Sequence, residues 1–101
     1  MAVVQVTASN YDEIKNSAKP VLLDFYADWC GPCKMVSPVV DQIAEQHPEY
    51  VVGKINVDDE EDLAAQFGIM SIPTLVVLKN GEQVNKSVGV IPKEKILEML
   101  N

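Results

Sequence analysis

Val21-Leu22-Leu23-Asp24-Phe25-Tyr26-Ala27 sets apolar side chains at nearly every position. A strand here would be apolar on both faces and would need cover above and below, as in a buried parallel sheet. The next segment changes period. After Cys30-Gly31-Pro32-Cys33, the residues Cys33, Val36, Val40, Ile43, Ala44 and His47 follow the spacing of an amphipathic helix. Pro38 lies inside that helix, where it removes one backbone hydrogen bond and is expected to kink it, and Pro48 closes the segment. A doubly buried strand feeding a helix restricts the chain to α/β architectures.

The flanking segments extend this pattern. Val3 to Val6 predicts a short first strand, and Ser9-Asn10-Tyr11-Asp12-Glu13 predicts a capped short helix with Tyr11 and Ile14 on one face. Lys19-Pro20 ends that helix. Val51 to Val57 predicts a third strand. Asp58 to Asp62 supplies five carboxylates to open a helix through Phe67, where they suit the positive end of its dipole better than a metal, and Gly68 stops it. Thr74 to Leu78 and Val84 to Val88 flank Lys79-Asn80-Gly81-Glu82, and Asn-Gly is a strong hairpin signal. Pro92 opens a last helix with Ile96, Leu97 and Leu100 as its buried stripe. The predicted order is β-α-β-α-β-α-β-β-α. Crossover helices imply parallel strands and the Asn-Gly turn adds an antiparallel edge, giving a mixed central sheet with helices on both faces.

At 101 residues the chain is expected to be one domain spanning 1–101, and 48% hydrophobic against 23% charged residues is the mix of a globular protein. No apolar run approaches the roughly 20 residues of a membrane span. Met1 to Val6 lacks the basic and long apolar regions of a secretory signal, so a cytoplasmic protein is expected. The net charge is −7, with 8 Lys and no Arg. Planar recognition of phosphates and base edges usually relies on Arg, so nucleic acid, nucleotide and anionic lipid partners are disfavoured.

The only cysteines are Cys30 and Cys33. Two cysteines this close make a poor structural staple, because bridging so small a loop restrains the unfolded chain little. Their spacing suits chemistry instead. Cys30 falls near the N-cap of the helix and Cys33 in its first turn, so helix-terminal N–H groups and the dipole would stabilise a Cys30 thiolate. Pro32 fits an early helical position because its missing N–H would have no intrahelical partner, and Gly31 leaves the sulfur unobstructed. Cys30 would attack a substrate disulfide. Cys33, expected to be the more buried thiol, would then resolve the mixed disulfide.

Asp24 interrupts the apolar strand. A carboxyl there is either buried and held towards its neutral form, making it a candidate to exchange a proton with Cys33, or it is an exposed strand-end residue. Lys54 interrupts the next strand; it either reaches towards Asp24 or buries its stem and sends its head to solvent. A zinc site is disfavoured. Beyond the two cysteines only His47 is a soft ligand, it lies far along the same helix, and it is more simply a residue near a helix C-terminus. Asn85-Lys86-Ser87 matches a glycosylation sequon, but with no secretory signal it is read as coincidence.

Asp24-Phe25-Tyr26-Ala27-Asp28-Trp29-Cys30-Gly31-Pro32-Cys33-Lys34 resembles the active-site segment of the thioredoxin family. Ser71-Ile72-Pro73-Thr74 resembles its cis-proline loop, Lys79-Asn80-Gly81 its hairpin, Val88-Gly89 its glycine turn, and Pro38 the bend of its long helix. The resemblance covers essentially the whole chain in order. It implies the thioredoxin fold and a general protein-disulfide reductase, with Cys30 as nucleophile, Cys33 as resolving thiol, Asp24 as buried acid/base and Lys54 as its neighbour. It implies that Pro73 is cis and that the Ile72 backbone pairs with substrate. Gly31 and Pro32 would tune the redox pair, and Trp29, Ile72, Pro73, Val88 and Gly89 would line the substrate surface. No cofactor or metal would be bound. Electrons would come from NADPH through a flavin-dependent thioredoxin reductase, with disulfide-containing proteins as the other partners and the chain a monomer. One departure is Tyr26, where bacterial members commonly have a second tryptophan. On the same resemblance, Met70 would tune substrate contact. Two other readings are an oxidant or isomerase, which Gly-Pro between the cysteines disfavours, and a redox-independent binding module, which intact Cys30, Cys33, Asp24 and Pro73 disfavour.

Overall fold

A computed structural model describes residues 3–101; Met1 and Ala2, at the start of the segment read for a secretory signal, lie outside them. The strands are β1 (Val4–Gln5), β2 (Val21–Tyr26), β3 (Val51–Asn56), β4 (Thr74–Lys79) and β5 (Glu82–Val88). The helices are α1 (Tyr11–Lys15), α2 (Gly31–Gln46), α3 (Glu61–Gln66) and α4 (Lys93–Leu100). The sheet order is β1-β3-β2-β4-β5, with β2 at its centre.

β2 is buried from Val21 through Phe25, as its two-faced apolar pattern requires. Strand alternation deals its side chains to two cores. Val21, Leu23 and Phe25 pack with Tyr11, Ile14, Leu63, Val76 and Leu78 on the α1/α3 face. Leu22 packs with Val36, Val40, Ile43, Leu75, Val77, Ile96 and Leu100 on the α2/α4 face. Asp24 shares the parity of Leu22, so its carboxyl belongs to the α2 side.

β1 and β2 both run parallel to β3, as crossover helices demand. β4, however, runs antiparallel to β2, so the direction changes one strand earlier than the hairpin edge that the sequence predicts. The reason is reach. A six-residue α3 rises about 9 Å, whereas a six-residue strand spans about 20 Å, so α3 cannot carry the chain back to the far end of the sheet. The chain therefore enters β4 from the end at which β3 leaves. Thr74 pairs with Phe25, and the loop before β4 arrives beside the loop after β2.

The β4–β5 hairpin turns through Asn80 (φ 55°) and Gly81 (φ 80°), the left-handed pair that an Asn-Gly turn supplies. β5 begins at Glu82, two residues before the predicted start, with an irregularity opposite Val77/Leu78. α2 continues through Pro38 as one helix. Asn10 does not cap α1 with its side chain; its Oδ1 accepts instead from the Thr7 N–H at 2.8 Å. Of the acidic run, only Glu61 and Asp62 occupy the first turn of α3. Asp58 and Asp59 precede it in a turn where their N–H groups donate to Asn56 Oδ1 at 2.9 and 3.4 Å.

Candidate active site

The C-terminal end of β2, the N-terminus of α2 and the start of β4 converge on Cys30 and Cys33. Cys30 is the N-cap of α2 in extended conformation (φ −87°, ψ 110°), and its Sγ accepts the Cys33 N–H at 3.1 Å. This is one of the helix-terminal N–H groups that lack an intrahelical acceptor. Gly31 and Pro32 fill the first helical positions and are exposed. Cys30 and Cys33 are joined as a disulfide with Cα atoms 5.3 Å apart. Cys33 was expected to be the more buried of the two, but in this oxidised form they are covered alike, at 3% and 4% exposure. The two cysteines pack at the first turn of α2 with Ala27, against Val57 and Ile72.

Behind the disulfide, towards the sheet, lies a cleft of about 250 Å³ lined by Gln5, Asp24, Tyr26, Ala27, Asp28, Cys33, Lys34, Ser37 and Lys54. Asp24 and Cys33 thus face the same space. Asp24 is 1% exposed, and neither carboxylate oxygen has a hydrogen-bond partner among the described residues. Burial raises its pKa from 3.8 to about 6; Lys54 pulls against that rise and Asp41 adds to it. Lys54 is the direct register partner of Asp24 across the β2–β3 pair. Its ammonium does not bond to Asp24. It donates to Ser37 Oγ, lies 3.6 Å from Asp41 Oδ1 and sits 5.7 Å from the centre of the Tyr26 ring. Tyr26 is half-buried, and its hydroxyl meets the Gln5 amide at 3.0 Å.

In front of the disulfide the surface is apolar and open. Trp29 is 71% exposed, and its indole N–H donates to Asp58 Oδ2 at 2.8 Å. Trp29, Val57, Ile69, Met70, Ser71 and Ile72 border a shallow depression of about 380 Å³. Met70 projects almost fully into solvent. The Ile72–Pro73 peptide is cis, and the Ile72 carbonyl oxygen lies 3.9 Å from Cys30 Sγ. Ile72 makes no backbone–backbone hydrogen bond among the described residues, whereas the Pro73 carbonyl accepts from the Gly89 N–H at 2.8 Å. That bond sets Gly89 (φ 95°) and the exposed Val88 beside buried Pro73. The loop is closed by Thr74 Oγ1, which donates to the Ser71 carbonyl at 2.6 Å.

The Thioredoxin family model matches residues 2–101. The chain belongs to the thioredoxin family. It is 50% identical to a thioredoxin of Pyropia yezoensis, over 100% of this chain and 96% of that one. It is 48% identical to thioredoxin 1 of a Nostoc strain, over 98% and 94%. Among solved structures, a mutant thioredoxin from Halobacterium salinarum superposes with a TM-score of 0.92 at 39% identity, covering 98% of this chain and 88% of that one. The thioredoxin from Malassezia sympodialis gives 0.87 at 32% identity, over 98% and 90%. The chain is accordingly a thiol–disulfide oxidoreductase of the thioredoxin fold, with a redox-active Cys30–Cys33 pair.

All the site residues read from the sequence gather at this one end of the sheet, Lys54 included, although its ammonium is directed away from Asp24. His47 stands apart: its Nδ1 lies 2.9 Å from Glu49 Oε2 and its ring stacks on Tyr50. No group of three or more metal-ligating side chains occurs among the described residues. Sequence reasoning missed Asp58 as the partner of Trp29, because a 29-residue separation leaves no local signal. It also missed Ser37 and Asp41. These had a signal: they follow Cys33 at intervals of four, so the three share one face of α2.

Proposed function

We propose that the chain is a cytoplasmic, monomeric protein-disulfide reductase whose residues 1–101 act as one domain. The observation that carries this reading is the sulfur of Cys30 at the N-cap of α2, accepting a helix-terminal N–H and bonded to Cys33. In the reduced protein the same N–H and the helix dipole favour a Cys30 thiolate. That thiolate attacks a substrate disulfide. The substrate S–S bond breaks, one substrate sulfur leaves and takes a proton, and a mixed disulfide forms on Cys30. Asp24 carboxylate then takes the Cys33 proton. Cys33 sulfur attacks Cys30 Sγ, the bond to substrate breaks, and the second substrate sulfur leaves and is protonated. Two electrons have moved from the dithiol to the substrate.

Asp24 suits the task because burial lifts its pKa to about 6, nearer the working pH than an ordinary carboxyl. Lys54 acts as its charged neighbour, and Gly31 and Pro32 set the turn that tunes the pair. The Ile72 backbone, free of backbone partners among the described residues, offers hydrogen bonds to an extended substrate chain, and Trp29, Pro73, Val88 and Gly89 flank it. Backbone pairing on an apolar surface makes few sequence demands, so a broad set of disulfide-containing proteins is expected. The resulting disulfide is re-reduced by a thioredoxin reductase that draws on NADPH through its flavin; this chain holds neither cofactor. The direction of electron flow is tested by equilibrating the protein in dithiothreitol buffers and trapping free thiols. A midpoint near the roughly −270 mV already known for thioredoxin supports the reductase, and one near the roughly −120 mV of a strong oxidant overturns it.

A further inference from the structure

Asp24 and Lys54 pose a question of geometry. They are register partners on adjacent parallel strands and share one face of the sheet, so a lysine stem is long enough to bring its ammonium to the carboxylate. Both line the same cleft. Nonetheless, neither Asp24 oxygen has a hydrogen-bond partner, and no ion pair within 4.0 Å joins the two among the described residues. The Lys54 ammonium is instead held on the α2 side by three groups: Ser37 Oγ, Asp41 Oδ1 at 3.6 Å and the face of Tyr26 at 5.7 Å. Ser37 and Asp41 lie one and two turns beyond Cys33 on the same helical face.

We propose that Ser37 and Asp41 are positioning residues that hold the Lys54 ammonium off Asp24, leaving the Asp24 carboxyl unpaired and facing Cys33. Released from this hold, Lys54 would swing into the cleft and form an ion pair with Asp24. An ion-paired carboxylate is a weaker proton acceptor, so the Cys33 proton would leave less readily when Cys33 attacks Cys30. The functional part of this inference rests on Asp24 as the proton acceptor; the geometric part does not.

The charged and titratable groups facing Asp24 are Lys54 from β3, Cys33, Lys34 and Asp41 from α2, and Tyr26 and Asp28 from the end of β2 and the loop after it. β4 contributes apolar Leu75 as the register partner of Asp24. Lys54 is therefore the cation whose displacement towards the carboxyl matters most. Replacing Asp41 would remove a nearby negative charge as well as an anchor, so the decisive variant is Ser37→Ala, which changes no charge.

The experiment follows the Asp24 carboxyl by carbon-13 NMR through a pH titration of the oxidised protein. Four forms are compared with the wild type: Ser37→Ala, Ser37→Thr, Lys54→Met and the Ser37→Ala, Lys54→Met double variant. The expected result is an Asp24 midpoint lowered by roughly half a pH unit or more in Ser37→Ala. Ser37→Thr, which keeps the hydroxyl, retains the wild-type midpoint, and Ser37→Ala has no effect once Lys54 is Met. An unchanged midpoint in Ser37→Ala, or an equal shift with Lys54 removed, overturns the proposal. A parallel pH profile of the resolving step separates the two layers. If the Asp24 midpoint moves and the profile does not, the positioning role stands and the reading of Asp24 as proton acceptor fails.

Discussion

The two sides of the disulfide are built on opposite principles. The side facing the sheet is a cleft lined by charged and polar side chains, in which Asp24 is almost completely buried and Lys54 is anchored to Ser37 and Asp41. The side facing solvent is apolar and open, with Trp29 and Met70 exposed and the Ile72 backbone free of backbone partners among the described residues. Burying an ionisable group destabilises its charged form, and exposing large apolar side chains forgoes their burial. The contrast fits the proposed division of labour, with a shielded carboxyl behind the sulfurs to exchange a proton and an uncovered surface before them to take substrate.

The largest effect is expected behind the disulfide. With a pKa of about 6 in the folded protein against 3.8 unfolded, Asp24 makes no difference to stability below both values. As pH rises between them, the unfolded chain ionises while the folded one resists, and stability falls by about 3 kcal/mol in all before levelling above pH 6. Asp24→Asn should therefore be more stable than wild type at pH 7 by up to this amount and flatter between pH 4 and 6, as read by denaturant unfolding. The same variant should reduce disulfides about tenfold or more slowly at pH 7, with protein and small-molecule substrates slowed alike. Unchanged stability and rate would remove Asp24 from the chemistry.

A smaller and more selective effect is expected in front. Trp29→Ala should raise KM for a disulfide-bonded protein substrate by about tenfold, the loss expected from a large aromatic contact, and leave reduction of a small aromatic disulfide within about twofold. Steady-state kinetics on both substrates provide the check. Equal losses on both would mean that Trp29 serves the reaction at sulfur, and the division between the two sides would break down.

Much of this arrangement is legible in the sequence, for reasons that are local. The two-faced strand around Asp24, the Asn80-Gly81 turn and the helix opening at Cys30 follow from periodicity and backbone preference over a few residues. The antiparallel entry of β4 was less legible, because it depends on the length of α3 relative to a strand. The direction of the Lys54 ammonium was not legible either. A lysine head goes where the nearest acceptors lie, and Ser37 and Asp41 reach it only after α2 has packed on the sheet. The Trp29–Asp58 bond likewise joins two loops that meet only in the folded chain. Asn10 is a reminder that a capping residue has other partners within reach: its side chain turned back to Thr7.

In the proposed reaction Cys30 attacks and Cys33 resolves. Exposure does not distinguish them, since both residues are almost fully buried in the disulfide; helix position does. The most direct test is to mix Cys33→Ser and Cys30→Ser, each reduced, with a disulfide-bonded protein and identify covalent adducts by mass spectrometry. The expected result is a stable mixed disulfide on Cys30 in the Cys33→Ser protein and little or none on Cys33 in the Cys30→Ser protein. Equal adducts on both cysteines, or an adduct on Cys33 alone, would contradict it.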